Sequence, residues 1–165
     1  MANITFHNEP ASTAGELPEV GTIAANFVAV GSDLKEKSLS DYKGQRVVLN
    51  IFPSVDTGVC AASVRRFNKE AANLPNTKVL CISKDLPFAM ARFCGAEGLN
   101  NVVVLSDFRG DFSKKYPLEL VDTPLKGLLS RAVIVLDEEE RVIYTEQVEE
   151  ITNEPDYEAA LKALK

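Results

Sequence analysis

The residues best suited to chemistry lie in the stretch PSVDTGVC, from Pro53 to Cys60. A β-branched apolar run at 47–52 precedes this stretch, and apolar residues at helical spacing follow it. Cys60 is therefore predicted to lie in the first turn of a helix that follows a buried strand. The free N–H groups and the positive dipole end at that position favour a thiolate over a thiol. The stretch predicts a nucleophilic cysteine.

Two neighbours of Cys60 are suited to support it. Thr57 lies three residues earlier, and its hydroxyl can accept or donate a hydrogen bond beside the sulfur. Pro53 fixes the backbone after the strand, lacks an N–H donor and can shield the sulfur from water. A thiolate in such a site can cleave a peroxide O–O bond, which gives a sulfenic acid and releases water or an alcohol.

A base or a cation is needed to form and stabilise the thiolate of Cys60. The single histidine, His7, lies in a polar N-terminal segment and is not expected at the site, which disfavours a Cys/His hydrolase. A permanent cation is the better activator, and Arg131 at the start of a buried strand is the leading candidate. From the residues alone, a surface arginine at a strand edge is the simpler interpretation of Arg131.

The three cysteines form no CxxC pair and no zinc-type spacing. This pattern disfavours a secreted disulfide scaffold and a disulfide isomerase of the thioredoxin type. Cys81 is expected to be a small apolar residue of a buried strand, with a backup thiol as the alternative. A metal site would require Cys81 and the distant His7 to converge with the other cysteines, and no dinucleotide or phosphate-loop motif is present. No metal or cofactor is expected.

The composition predicts one globular domain over residues 1–165, since 45% of the residues are hydrophobic and 25% are charged. A net charge of -6 without a Lys/Arg cluster argues against nucleic acid and anionic membranes as partners. No apolar run approaches the roughly 18 residues of a membrane-spanning helix, and the first seven residues do not resemble a signal peptide. These features predict a cytoplasmic protein.

The hydrophobic pattern predicts an α/β order of elements. Strands are predicted at 27–30, 46–52, 78–83, 101–106, 130–136 and 141–145. Helices are predicted at 59–73, 85–97 and 157–164, with short helical turns near 38–44 and 107–116. A small hairpin is predicted within residues 1–20, and the short link at 137–140 predicts a second hairpin. The order predicts a thioredoxin-like fold, with a mixed central sheet flanked by helices and an N-terminal β-hairpin extension.

The motif Pro53-x-x-x-Thr57-x-x-Cys60 after a buried strand resembles the active-site motif of peroxiredoxins. The longer strings PSVDTGVCAASVRRFN and CISKDLPFAMARFC resemble the bacterial thiol peroxidases, which are atypical two-cysteine peroxiredoxins. The similarity runs over nearly the whole chain, including the hairpin region and the string SRAVIVLDEEERVIY.

This resemblance implies a role for each site residue. Cys60 matches the peroxidatic cysteine, and Thr57 and Pro53 match its polar and shielding partners. Arg131 matches the arginine that lies against the sulfur. Cys94 matches the resolving cysteine, which attacks the Cys60 sulfenic acid to form an intramolecular disulfide. The implied activity is reduction of hydrogen peroxide and of alkyl or lipid hydroperoxides, with thioredoxin as the reductant and a homodimer as the assembly.

The alternative function is a peroxide-sensing redox relay of low turnover, which would use the same two cysteines. Cys94 is predicted near the end of a helix, close to Gly95 and Gly98, where fraying is easy. If the two sulfurs start beyond the reach of a disulfide, one or both helices must unwind locally before the bond can close.

Overall fold

The computed structural model describes residues 3–165, so residues 1 and 2 of the predicted N-terminal extension lie outside it. The strands are β1 (Asn3–Phe6), β2 (Glu9–Ser12), β3 (Val28–Gly31), β4 (Glu36–Ser38), β5 (Arg46–Ile51), β6 (Thr77–Ser83), β7 (Val103–Ser106), β8 (Ala132–Leu136) and β9 (Val142–Gln147). The α-helices are α1 (Gly58–Ala71), α2 (Pro87–Glu97), α3 (Phe112–Lys115) and α4 (Tyr157–Lys162), and a 3-10 turn spans Leu39–Tyr42.

The seven-stranded central sheet has the order β4-β3-β7-β6-β5-β8-β9. Strands β5, β6 and β7 are parallel, because α1 and α2 provide the crossovers that parallel pairing requires. Strands β3 and β8 run antiparallel to their neighbours, and β8 and β9 form a hairpin. A separate two-stranded sheet, β1-β2, forms the N-terminal hairpin. The predicted thioredoxin-like mixed sheet with its hairpin extension is confirmed.

Strand β5 carries the site to the middle of the sheet. Its central residues are completely buried because helices and loops cover both faces, which explains why the run is apolar apart from Asn50. Successive side chains alternate between the faces, so Leu49 packs on one side while Val48 packs in a cluster with Cys60 and Phe67 of α1. Full burial of Phe67 contributes about 2 kcal/mol and holds α1 against the sheet.

The two helices that carry cysteines begin and end within two residues of their predicted bounds. Helix α1 follows the extended backbone of Thr57, with φ -104 and ψ 147. Helix α2 begins at Pro87, where the missing N–H costs no hydrogen bond, and ends at Gly98. Gly98 has a φ of 66, in the left-handed region that glycine adopts without strain.

Strand β4 is absent from the prediction. Its three residues, Glu36 to Ser38, are polar and partly exposed, so they show no apolar alternation. They form a strand because their backbone pairs with β3 at the edge of the sheet, and such pairing needs no apolar side chain. Strand β8 also begins later than predicted, at Ala132, which leaves Arg131 just before it. None of the helices within residues 3–165 is long and apolar enough to cross a membrane.

Candidate active site

Cys60 is the third residue of α1 and is fully buried, with 0% of its surface exposed. Its sulfur accepts a hydrogen bond from Arg131, with 3.2 Å between Nη2 and Sγ. A guanidinium at this distance stabilises the thiolate, because the bond is charge-assisted and burial excludes water that would screen it. The helix N-terminus acts in the same direction. The geometry therefore places the Cys60 sulfur at a helix N-terminus and in contact with a buried cation.

Arg131 is buried, with only 2% of its surface exposed, so the interpretation as a surface arginine is wrong. Its Nε donates to the carbonyl oxygen of Ile151 at 2.7 Å, which fixes the plane of the guanidinium. Its Nη1 is buried and has no hydrogen-bond partner within the described residues. A buried cation is costly unless it is paired, so Arg131 and a Cys60 thiolate compensate each other.

A mostly apolar pocket of about 380 Å³ lies next to this pair. Pro53, Thr57 and Arg131 line it, whereas Cys60 is fully buried behind it and contacts Arg131. Pro53 is buried, consistent with shielding of the sulfur. Thr57 donates its hydroxyl proton to the Ser54 carbonyl oxygen at 2.9 Å, not to the sulfur. The Thr57 oxygen therefore keeps its lone pairs for an incoming donor.

Cys94 lies in the last turn of α2 and is half-buried, and its thiol is free. It lines a second pocket, of about 450 Å³, which shares no residue with the pocket beside Arg131. Burial, and then the nearby Glu97 carboxylate, raise the pKa of the Cys94 thiol above its ordinary value. Cys94 thus opens onto a part of the surface that is separate from the pocket beside Arg131, whereas Cys60 is fully buried.

Cys81 lies in β6 and is completely buried, which confirms its predicted place in a buried strand. Burial raises the pKa of its thiol to about 12, and this outweighs the opposite effect of the hydrogen bond from Asn50. Such a thiol stays protonated and unreactive at neutral pH. Across residues 3–165, no three His, Cys, Asp or Glu side chains are grouped so as to hold a metal ion.

Comparison with known proteins agrees with this geometry. The redoxin family model matches residues 14–161 of the chain. A thiol peroxidase from Corynebacterium glutamicum is 57% identical over 164 residues, which cover 99% of each protein. The chain belongs to the thiol peroxidases of the redoxin family.

Two solved structures extend the likeness of this thiol peroxidase chain to three dimensions. A peroxiredoxin-like protein from Aquifex aeolicus has a TM-score of 0.93 at 36% identity, over 98% of this chain and 95% of that one. A thiol peroxidase from Chromobacterium violaceum has a TM-score of 0.90 at 26% identity, with the same coverage of 98% and 95%. The N-terminal hairpin falls within the matched length of both.

His7 lies closer to the site of the thiol peroxidase than the sequence indicates, because it lines the same pocket as Arg131. It occupies the turn between β1 and β2, and its ring packs against Phe6 with 4.4 Å between the ring centroids. The expectation that His7 stays away from the site is therefore wrong. No local signal could have placed it there, since the hairpin reaches the pocket through contacts with residues more than a hundred positions away.

Glu150 holds the hairpin against the site and is a second residue that the sequence did not indicate. Its carboxylate accepts hydrogen bonds from the Thr5 hydroxyl at 2.9 Å and from the Asn8 N–H at 2.7 Å. The hydroxyl and the N–H of Thr152 donate to it as well, at 2.7 and 2.8 Å. These hydrogen bonds lower the pKa of Glu150 to about 2, and the bond from the Thr152 hydroxyl has the largest effect. Next to it, Ile151 carries the carbonyl oxygen that holds Arg131.

Proposed function

We propose that this protein reduces hydrogen peroxide and organic hydroperoxides with Cys60 as the attacking thiolate. The observation that carries the proposal is the buried contact of 3.2 Å between Arg131 Nη2 and Cys60 Sγ. Its membership of the thiol peroxidases supports the same activity. Pro53 and Thr57 act beside the sulfur, Pro53 by excluding water and Thr57 by offering its hydroxyl oxygen to the substrate.

In the first step, the Cys60 thiolate attacks the terminal oxygen of the peroxide. An S–O bond forms and the O–O bond breaks, so that Cys60 becomes a sulfenic acid and an alkoxide or hydroxide leaves. The leaving oxygen takes a proton and departs as an alcohol or water. Arg131 Nη1, which has no partner within residues 3–165, supplies a hydrogen bond to the developing negative charge.

In the second step, the Cys94 thiolate attacks the sulfur of the Cys60 sulfenic acid, an S–S bond forms and hydroxide leaves as water. The sulfur of Cys60 is fully buried and Cys94 lines a different pocket, so local unwinding must precede closure. Cys94 lies in the last turn of α2, next to the Gly98 end of the helix, and helix ends open at a lower free-energy cost than helix centres. A dithiol reductant of the thioredoxin type then restores both thiols.

The remaining assignments rest on the family resemblance. We propose that the protein acts as a homodimer in the cytoplasm, with residues 1–165 as a single domain that uses neither metal nor cofactor. The net charge of -6 fits neither nucleic acid nor an anionic membrane as a partner. Analytical ultracentrifugation of the reduced protein tests the dimer, and a monomer at micromolar concentration would contradict it.

A coupled assay tests the proposed function. Purified protein, thioredoxin, thioredoxin reductase and NADPH are mixed with hydrogen peroxide or an organic hydroperoxide, and NADPH oxidation is followed. We expect steady consumption of NADPH over many turnovers per cysteine pair. If each protein molecule is oxidised once and then turns over negligibly, the redox-relay function replaces the peroxidase.

The pH dependence of disulfide formation follows from the raised pKa of Cys94. Below that pKa the thiolate fraction grows about tenfold per pH unit, so the first-order rate of disulfide formation should rise steeply through the neutral range. Acid quenching after a single turnover, followed by mass spectrometry, measures this rate. Glu97→Gln removes the carboxylate that helps to raise the pKa and should move the profile to lower pH. A flat profile for the wild type would contradict this expectation and would show that local unwinding, not deprotonation of Cys94, limits the rate.

Loosening the hairpin should affect large substrates more than small ones. Glu150→Gln removes the negative charge that binds the turn carrying His7. Each weakened hydrogen bond lowers the stability of the attached hairpin by about 1 kcal/mol. We therefore expect kcat/KM for a bulky organic hydroperoxide to fall about fivefold. Hydrogen peroxide is too small to depend on contacts with the residues that line the pocket, so its rate should stay within about twofold of the wild-type rate.

The matched control for this prediction is Glu149→Gln, which removes a neighbouring charge from an exposed residue whose side chain holds no part of the hairpin. It should leave both substrates unaffected. An equal loss for the small and the bulky peroxide in Glu150→Gln would assign Glu150 to the placement of Arg131 and not to the pocket wall.

A further inference from the structure

The active-site loop, defined as residues 53–57, is fastened to the rest of the chain by one carboxylate. Ser54 Oγ donates to Asp85 Oδ1 at 2.7 Å, and the N–H of Val55 donates to Asp85 Oδ2 at 2.9 Å. Asp85 lies between β6 and α2, and Ser83 Oγ also donates to its Oδ2, at 2.6 Å. Both hydrogen bonds that join the loop to a distant part of the described chain therefore end on Asp85.

These bonds are stronger than the other polar contact of the loop. Hydrogen bonds to a carboxylate are charge-assisted and therefore stronger than bonds between neutral groups. Val55 is only 2% exposed, so no water can replace Asp85 as the acceptor of its N–H. By contrast, Asp56 and Arg92 form an ion pair at 3.9 Å with both side chains largely exposed, and such pairs contribute little. Asp85 dominates the polar attachment of the loop.

The loop is joined directly to the helix turn that carries Cys60. The carbonyl oxygen of Thr57 accepts the N–H of Ala61 at 2.9 Å, so displacement of the loop breaks the first turn of α1, which contains Cys60. With the loop in place, Cys60 is fully buried against Arg131. Loop opening is thus the local event that would expose the sulfur to a thiol from another helix.

We propose that the Asp85 carboxylate is the latch that keeps the active-site loop closed over Cys60. Asp85 is a positioning residue: it acts through Ser54 and Val55 and touches no reacting atom. The consequence for catalysis rests on the function proposed above. The closed loop favours attack on peroxide, because it holds Cys60 against Arg131, and the open loop favours attack by Cys94. Weakening the latch should slow the first step and accelerate the second.

The first experiment needs no catalytic activity and uses the reduced protein. In Asp85→Asn the amide is nearly isosteric, but its NH₂ group faces hydrogen-bond donors and the charge is lost. Alkylation of Cys60 by iodoacetamide, read by peptide mass spectrometry, should accelerate about tenfold, with faster amide exchange over residues 53–61. Ser54→Ala removes one of the bonds, keeps the fold and should accelerate alkylation about threefold.

The matched control is Asp111→Asn. Asp111 also accepts a backbone N–H, from Val28 at 2.7 Å, but it lies beside β3 and has no contact with the loop. It should leave Cys60 alkylation unchanged even if global stability falls. The latch is refuted if Asp85→Asn and Ser54→Ala alkylate Cys60 at the wild-type rate, or if Asp111→Asn accelerates alkylation as much as Asp85→Asn does.

The second experiment follows the two chemical steps by rapid mixing with hydrogen peroxide and timed acid quenching. Asp85→Asn should form the disulfide about tenfold faster than the wild type and oxidise Cys60 more slowly. A general loss of structure would slow both steps together, and this outcome would overturn the proposal. If the wild type itself forms no sulfenic acid with peroxide, the proposed function fails, while the alkylation experiment still decides whether Asp85 is the latch.

Discussion

Replacing Arg131 with methionine is expected to lower kcat/KM for hydrogen peroxide by about a thousandfold, the effect of removing a principal electrostatic donor from a buried active site. The guanidinium is the buried cation that contacts the sulfur, at 3.2 Å. Its loss removes both the stabilisation of the thiolate and the free Nη1 donor for the peroxide oxygen. Stopped-flow kinetics measure the second-order rate, and the ultraviolet absorbance of the thiolate reports its loss directly.

The fold should tolerate this substitution. Methionine has a similar length and is apolar, so it fills the buried space without an unpaired charge. Arg141→Met serves as the matched control: Arg141 is exposed, it donates to the Gly21 carbonyl oxygen at 2.6 Å, and its replacement should leave the rate unchanged. A loss of less than about threefold in Arg131→Met would show that the helix N-terminus alone activates Cys60.

Arg131→Lys separates charge from geometry. The lysine keeps a positive charge but cannot donate to Ile151 and Cys60 with the fixed fork of a guanidinium. We expect a rate between those of wild type and Arg131→Met. Full activity in the lysine variant would mean that charge alone is required and that the orientation given by Ile151 has no role.

The sequence predicted those residues of the site that lie close to one another along the chain. Pro53, Thr57 and Cys60 lie within a single turn from strand to helix, and the position of such a turn follows from periodicity and capping. The same holds for the Gly98 end of α2. Short-range physics determines these features, so no tertiary information was needed to locate them.

The remaining part of the site depends on contacts between distant segments. His7 reaches the pocket because Glu150, 143 residues away, binds its backbone N–H. Asp85 holds Ser54 and Val55 across 31 and 30 residues. His7 and Glu150 have no periodic or motif signal of their own, and nothing in the string CISKDLPFAMARFC links Asp85 to the loop, since an acidic residue in a loop is usually a solvated one. Arg131 was ambiguous for a related reason, because the start of a strand can be buried or exposed.

Replacing Cys94 with serine is expected to separate the two halves of the proposed cycle. The first oxidation of Cys60 should stay within about twofold of the wild-type rate, because Cys94 lines a pocket that shares no residue with the pocket beside Arg131. Turnover with thioredoxin should fall to background, because serine cannot form the disulfide. Rapid mixing with hydrogen peroxide measures the first rate, and NADPH consumption in the coupled assay measures the second.

The other two cysteines provide the controls. Cys60→Ser should abolish both the oxidation and the turnover, whereas Cys81→Ser should keep both, since the Cys81 thiol is fully buried with its pKa raised to about 12. Peptide mapping of the oxidised wild type should find the disulfide between Cys60 and Cys94. Full thioredoxin-dependent turnover in Cys94→Ser would require the reductant to attack the Cys60 sulfenic acid itself. Such an attack needs Cys60 to be exposed, so the active-site loop would still have to open, but to thioredoxin and not to Cys94.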